Sequence, residues 1–156
     1  MTNKTNQTIT ETTKATELPV CSPNNGKELD FTHMTEEHFD AILTRFLNFC
    51  GVDSLDEFDP DKCYEWKGRG GSNGYGQFEW TGRIITASRV MYALQYGKVP
   101  AGMVVEHRCP DGDNSKCINP HHLHLSTQKV NMQRFHDQKK AATAAEEQAK
   151  KEQAGE

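Results

Sequence analysis

The sequence predicts an α+β fold built from short strands and helices around a small cluster of cysteine and histidine. Apolar and aromatic runs of strand length, separated by glycine-containing turns, alternate with segments of helical periodicity. Cysteine and histidine recur within one loop, at Cys109, Cys117 and His122, with spacings that suit a closed zinc site. The hydrophobic fraction is only 35% of 156 residues, so we expect part of the chain to build no core.

Composition and hydropathy indicate the compartment in which the protein is expected. No apolar run is long enough to span a membrane, and the polar, Thr-rich N-terminus lacks the apolar region of a secretory signal. We therefore expect a cytoplasmic protein. Five cysteines are an odd number, and in a non-secreted chain a Cys/His cluster favours metal binding over disulfide bonds.

The formal net charge of −4 conceals an asymmetry. Residues 1–61 carry a net charge of −8 and residues 136–156 a net charge of −1. Residues 62–135 hold ten basic and five acidic side chains, a net charge of +5. The middle of the chain is therefore the part expected to meet a polyanion.

The N-terminal third is predicted to contain two segments. Residues 1–30 are interpreted as a disordered tether, with Cys21 as a free surface thiol. Residues 31–61 form an acidic helical lead-in that begins near Thr35 and stops by Gly51. Cys50 is expected to pack as a small apolar residue. Apolar residues at three- and four-residue steps share one face of this helix: Phe39, Ile42, Leu43, Phe46 and Leu47.

Residues 62–136 are predicted to form the main domain. The turns Asn73-Gly74 and Thr81-Gly82 separate strands, and a helix over Ala87–Tyr96 stops at Gly97. Thr127 is a good N-cap for a helix through Asn131. Residues 137–156 are a charged tail without an apolar stripe, either a solvated, fraying helix or disordered. The predicted strands are Cys63–Trp66, Tyr75–Trp80, Arg83–Thr86, Met103–His107 and Leu123–Ser126.

A tetrahedral zinc site needs four ligands on short rigid segments. Cys109, Cys117 and His122 supply three, and Cys63 is the best candidate for the fourth because it opens a strand just before the hairpin region. The alternative is that these cysteines are ordinary buried thiols. His121 and His124 are interpreted as exposed loop and strand residues.

A second kind of chemistry lies beside this cluster. His107 is flanked by Glu106 and precedes Cys109 by two residues, which makes it a candidate general base. Asn131 follows His122 by nine residues, and its amide oxygen is a reasonable ligand for a hard metal alongside a carboxylate. The alternatives are a structural histidine and an exposed helical asparagine.

The combined pattern resembles the HNH endonucleases, whose core is the ββα-metal (His-Me) finger. Glu-His-x-Cys, then Cys-x-Asn-Pro-x-His-Leu, then Asn nine residues later, is similar to the small zinc-bound, free-standing members common in bacteriophage genomes. The upstream pieces fit the same group: Cys63 to Gly68, Asn73 to Gly76, Ser88-Arg89 and Val99 to Val105. The resemblance covers about Cys63 to Arg134, and the expected location becomes the host cell cytoplasm if the protein is phage-encoded.

This resemblance implies roles for particular residues. His107 takes a proton from water, while Glu106 and Asn131 hold one Mg²⁺ (Mn²⁺ is an acceptable substitute) against the scissile phosphate. Asn119 braces the loop that carries the histidine. Arg89 is the first choice for a phosphate contact and Arg83 the second. General contacts to the DNA backbone are expected from Lys67, Arg69, Lys129 and Arg134.

The chain departs from the family pattern at three places. Glu106 stands where Asp is usual, and Ser88 replaces a common His. The loop from Cys109 to Cys117 is longer than usual and adds Asp111 and Asp113.

The sequence therefore predicts a zinc-stabilised, Mg²⁺-dependent DNA endonuclease that nicks or cuts both strands. The alternative is a non-catalytic, zinc-stabilised DNA-binding module. A third reading is a protein-interaction domain that uses the Phe39, Ile42 and Phe46 face, although packing of that face on the nuclease core is favoured. The target site, the choice between monomer and homodimer, and the biological role (homing, defence or genome processing) are left open.

Overall fold

The strands of this protein pair in three separate antiparallel ribbons of two strands each, within residues 27–153, which the computed structural model describes. β1 pairs with β4, β2 with β3, and β5 with β6. The elements are β1 Leu29–Asp30, α1 Glu36–Leu47, β2 Gln77–Trp80, β3 Arg83–Thr86, α2 Ala87–Tyr96, β4 Lys98–Val99, β5 Met103–His107, β6 Leu123–Thr127 and α3 Gln128–Gln153. The predicted α+β class is confirmed.

β5, β6 and α3 form a strand–strand–helix unit. The strands pair in a register that places Glu106 opposite His124 and His107 opposite Leu123. Residues 108–122, here called the β5–β6 connection, lie between the two strands. α3 starts directly after β6, and the Thr127 hydroxyl accepts a hydrogen bond from the Val130 N–H at 3.2 Å, as expected of an N-cap. This unit matches the predicted ββα arrangement.

The residues that precede this unit in the chain form an aromatic core. Phe46 of α1 lies 4.9 Å from Trp66 and 5.1 Å from Phe78 between ring centroids, and all three side chains are buried. Each such burial stabilises the fold by about 1.5–3 kcal/mol. The apolar face of α1 therefore packs in the same core as α2, as the favoured interpretation predicted, and is not left open for a partner.

α1 and α2 begin and end where local chemistry dictates. The Thr35 hydroxyl accepts a hydrogen bond from the His38 N–H at 3.4 Å, and Glu36 and Glu37 lie in the first turn, where the helix dipole favours anions. α2 ends at Gly97, whose φ of +93° suits glycine better than any residue with a Cβ. α2 thus has its predicted bounds, whereas α1 ends at Leu47, before the predicted stop at Gly51.

Two strand predictions need correction. Cys63–Trp66 is an extended segment with a single bridge between Glu65 and Cys117, because its pairing partner is the irregular β5–β6 connection. β2 begins at Gln77 and not at Tyr75; Gly70 and Gly76 bridge instead and close the glycine-rich turn (residues 68–76).

The start of the described chain also differs from the prediction of a disordered segment over residues 1–30. Leu29 and Asp30 form β1, and Leu29 is buried opposite Val99. This pairing covers an edge of β4, a two-residue strand that the sequence did not predict. Cys21 and its predicted role lie outside the described residues.

α3 extends well past the core. From Phe135 onward every described side chain is exposed, in keeping with the predicted solvated helix. None of the helices in residues 27–153 is long and apolar enough to cross a membrane.

Candidate metal centre and adjoining cleft

Four predicted ligands come together in space. One ligand atom from each of Cys63, Cys109, Cys117 and His122 lies within 4.8 Å of the others. Cys109 follows β5, Cys117 and His122 belong to the β5–β6 connection, and Cys63 is brought in by the bridge beside it. This group, here called the Cys₃His cluster, could bind a metal such as zinc.

The histidine of the cluster is oriented for coordination. Its Nε2 lies 2.7 Å from the carbonyl oxygen of Pro60. Because a carbonyl only accepts, Nε2 must carry the proton, which leaves the lone pair on Nδ1. Nδ1 lies 3.5 Å from the Cys117 sulfur and 3.7 Å from the Cys63 sulfur. Three sulfurs and one imidazole nitrogen are the donor set that tetrahedral zinc prefers.

Two thiols of the cluster, those of Cys63 and Cys117, are poor acids without a cation. Burial, together with the neighbouring Cys109 and Cys117, raises the pKa of Cys63 to about 12. Although Cys63 as a whole residue is exposed, its sulfur faces the other ligands. Burial also raises the pKa of Cys117. A divalent cation would remove this penalty, since metal binding releases the thiol protons.

Asn119 fastens the segments that carry these ligands. It is 0% exposed, and its amide nitrogen donates to the carbonyl oxygens of Asp59 at 2.8 Å and Lys62 at 2.7 Å. Its amide oxygen accepts from the His121 N–H at 3.0 Å. Asn119 therefore ties the turn before Cys63 to the turn before His122, and it does not line the cleft described next.

An open cleft, here called the His107 cleft, lies between β5, the β5–β6 connection and α3. It is lined by Glu106 and His107 of β5, by Asn131 and Arg134 of α3, and by Tyr75. The predicted general base and both predicted ligands for a hard metal thus share one cleft.

His107 has a defined tautomer. The side chain is 6% exposed, and Nε2 lies 3.0 Å from the carbonyl oxygen of Cys117, so Nε2 carries the proton and Nδ1 keeps its lone pair. Burial lowers the pKa of the imidazole, against the opposing effect of the bond to Cys117. A neutral imidazole with a free Nδ1 can accept a proton.

Glu106 has one satisfied and one unsatisfied oxygen. Oε1 accepts from the Arg108 guanidinium, at 2.6 Å from Nε. Oε2 is buried and has no hydrogen-bond partner in the described part of the chain. A buried carboxylate oxygen without a partner is costly, so this atom is suited to a cation. The side-chain amide of Asn131, half-buried in the same cleft, likewise forms no hydrogen bond to residues 27–153.

Arg89 requires a correction. The sequence predicted a phosphate contact, but Arg89 is 6% exposed and does not line the His107 cleft. Its guanidinium donates to the carbonyl oxygens of Met103, at 3.0 Å, and Lys27. Arg89 therefore holds the start of β5 against the chain that leads into β1, which is a structural task.

The other residues predicted to contact phosphate, and the two histidines outside the predicted site, differ in how exposed they are. Arg134 is half-buried and hydrogen-bonded to the protein. His121 is exposed as expected, whereas His124 is half-buried opposite Glu106 and stays outside the cluster. The remaining predicted phosphate contacts are exposed: Lys67, Arg69, Arg83 and Lys129.

Two residues of the site were missed by the sequence interpretation. Arg108 binds Glu106, and the two-residue strand period, which puts positions 106 and 108 on one face, was the available signal. Tyr75 entered only as part of a glycine-rich motif, and no local signal shows that this turn approaches His107, since the approach depends on tertiary contacts.

Comparison with known proteins finds two sequence similarities. Residues 86–133 match the HNH endonuclease family, a span that contains His107, Asn119 and Asn131 but not Cys63. The chain is also similar to Protein 7.7 of Escherichia phage T7, with 44% identity over 71 residues, 46% of this chain. The match spans 52% of the length of that relative. No solved structure matches. Residues 86–133, which include α2, β5, β6 and the first residues of α3, are therefore similar to the HNH endonuclease family.

Proposed function

We propose that this protein is a metal-dependent DNA endonuclease that hydrolyses phosphodiester bonds with His107 as general base. The observation that carries the proposal is the hydrogen bond from His107 Nε2 to the Cys117 carbonyl. It leaves Nδ1 as the basic nitrogen in a cleft that also holds an unsatisfied carboxylate oxygen. A water molecule beside Nδ1 would lose its proton to the imidazole as it attacks phosphorus.

Glu106 and Asn131 are the residues proposed to hold Mg²⁺, with Mn²⁺ accepted in its place. The unsatisfied Oε2 of Glu106 and the uncommitted amide of Asn131 form the oxygen-rich donor set that a hard cation prefers. The cation would stabilise negative charge on the phosphoryl group and on the leaving 3′ oxygen. Hydrolysis would leave 5′-phosphate and 3′-hydroxyl ends.

The Cys₃His cluster is proposed to be a structural zinc site that also orients the base. Cys117 contributes its sulfur to the cluster and its carbonyl oxygen to His107. Fixing the sulfur therefore fixes the acceptor that sets the tautomer of His107. Such an outer contact is a usual way for a protein to orient a functional imidazole.

DNA is the proposed substrate because the family acts on it and because the charge distribution fits. The net charge of +5 over residues 62–135 includes exposed Lys67, Arg69 and Lys129, which are suited to phosphate contacts. By analogy with the phage relative, we place this action in the cytoplasm of an infected cell.

The experiment that tests the proposal is cleavage of supercoiled plasmid in Mg²⁺. Wild type should convert the plasmid to nicked or linear DNA, and His107→Ala should not, although both should contain about one zinc per chain. His33→Ala is the matched control, since His33 has a side chain that is 90% exposed and does not line the His107 cleft. Cleavage by His107→Ala at the wild-type rate would refute the role of general base.

The alternative function, a zinc-stabilised DNA-binding module, corresponds to a distinct outcome of the same experiment. Wild type would then bind DNA and contain zinc, yet leave varied DNA substrates intact in both Mg²⁺ and Mn²⁺.

A further inference from the structure

We propose that Tyr75 is a substrate-contacting residue of the His107 cleft. Its phenol hydroxyl would donate a hydrogen bond to a phosphate oxygen of the bound DNA strand, while its ring packs beside the imidazole of His107. This inference rests on the proposed function and deepens it, because it assigns a DNA contact to a neutral side chain outside the strand–strand–helix unit.

Tyr75 lines the cleft beside the candidate base. Its ring centroid is 5.8 Å from that of His107, with an interplanar angle of 37°. The residue is 37% exposed and lines the cleft with Asn131. A DNA strand bound in the cleft next to His107 would therefore also lie close to Tyr75.

The hydroxyl of Tyr75 is available. Tyr64 donates its hydroxyl to the Glu57 carbonyl at 3.1 Å, and Tyr96 donates to the Pro120 carbonyl at 3.2 Å. The Tyr75 hydroxyl forms no such bond to residues 27–153. A phenol combines one donor with an apolar ring, and a DNA strand offers phosphate oxygens and sugar faces to match.

The position of Tyr75 is set by the fold. The Tyr75 carbonyl accepts from the Gly71 N–H at 2.8 Å, and the Tyr75 N–H donates to Asn73 Oδ1 at 3.3 Å. Gly74, with φ of +83°, turns the chain, and its carbonyl accepts from the Ser115 hydroxyl at 3.2 Å. The glycine-rich turn is thus tied to the β5–β6 connection, which also supplies the carbonyl that orients His107.

The charges of the cleft explain why a neutral donor is useful there. Arg108 is paired with Glu106, and Arg134 is bonded to Asp113 and to the His107 carbonyl. Both arginines near His107 are therefore committed to the protein. Within residues 27–153 the Tyr75 hydroxyl has no acceptor, so it can donate to a phosphate without breaking an existing ion pair.

The test measures DNA affinity separately from cleavage. The dissociation constant for a short fluorescent DNA duplex is measured by anisotropy for His107→Ala and for the double variant that also carries Tyr75→Phe. Loss of a hydrogen bond to a charged phosphate should weaken binding about tenfold. Tyr75→Ala, which also removes the ring, should weaken binding further. In the otherwise wild-type protein, Tyr75→Phe should lower kcat/KM for cleavage by a similar factor.

Tyr92→Phe is the matched control. Tyr92 is half-buried on α2 against Tyr96, with centroids 4.6 Å apart, and it does not line the His107 cleft. It should leave affinity unchanged, and all variants should retain zinc and the wild-type melting temperature. Equal affinity of the Tyr75→Phe double variant and its parent would overturn the proposal, as would a parent that binds no DNA. If wild type fails to cleave but the Tyr75 variants lose affinity, the nuclease proposal fails and the contact stands.

Discussion

Arg134 donates a hydrogen bond of 2.7 Å to the backbone carbonyl of His107, a residue 27 positions earlier in the chain. The same guanidinium reaches Asp113 Oδ1 at 3.1 Å. One side chain of α3 therefore joins the end of β5 to the β5–β6 connection. The backbone of His107 is held by α3, and its ring is held by the Cys117 carbonyl. The candidate base is thus fixed at two points, both within the unit that carries the Cys₃His cluster.

Arg134→Ala should impair cleavage more than it impairs stability. The variant loses one bond to a carbonyl and a partly exposed ion pair, which together contribute about 1–2 kcal/mol to the free energy of unfolding. Cleavage should fall by about tenfold or more, because small displacements of a catalytic group are costly. The measurements are urea denaturation and the plasmid cleavage rate.

Lys129→Ala is the control for this prediction, because Lys129 lies on the same helix and is exposed. It should slow cleavage only to the extent that one phosphate contact is lost, and less at high salt. If Arg134→Ala cleaved as fast as wild type, Arg134 would have no part in positioning His107.

Cys117→Ser should abolish zinc binding and unfold the protein. Structural zinc contributes apparent binding free energies of about 10–16 kcal/mol, which equals or exceeds the stability of an ordinary domain. Cys50→Ser is the matched control, since Cys50 is buried outside the cluster and its thiol lies 3.4 Å from the Phe46 carbonyl, a contact that serine can also make. Zinc content and circular dichroism distinguish the two variants, and an unchanged zinc content in Cys117→Ser would remove Cys117 from the site.

The sequence predicts best where the determinants are local. The bounds of α2 follow from apolar periodicity and from Gly97, and the four members of the Cys₃His cluster follow from the ligand preferences of zinc. The sequence also predicts that Glu106, His107 and Asn131 lie in one cleft, because the strand–strand–helix unit that carries them is continuous in sequence.

Features that depend on distant contacts could not be predicted in this way. Arg89 is buried where the carbonyl groups of Lys27 and Met103 accept its hydrogen bonds. No sequence pattern around residue 89 predicts those acceptors. Cys63–Trp66 has strand-like composition but pairs with an irregular segment, so only one bridge forms. The approach of Tyr75 to His107 depends on the contact between Gly74 and Ser115, 41 residues apart.

Glu106→Gln should weaken the binding of Mg²⁺ while leaving the stability of the fold almost unchanged. The substitution replaces the charge-assisted bond to Arg108 by a weaker bond to a neutral amide oxygen. It also replaces a buried carboxylate, whose Oε2 has no partner among the described residues, by an uncharged amide. These two effects oppose each other, so the free energy of unfolding should stay within about 1 kcal/mol of wild type. Cleavage at low Mg²⁺ should fall by about 100-fold, because a neutral amide holds a divalent cation less well than a carboxylate does.

The Mg²⁺ dependence of the cleavage rate identifies the cause of that loss. If Glu106 is a ligand, higher Mg²⁺ concentrations should restore part of the activity of Glu106→Gln, and half-maximal activity should shift to higher Mg²⁺. Glu79→Gln is the control, because Glu79 is an exposed glutamate of β2 that lies outside the His107 cleft; it should keep the wild-type profile. An unshifted Mg²⁺ midpoint in Glu106→Gln would mean that the carboxylate only pairs with Arg108, and its unsatisfied oxygen would then need another explanation.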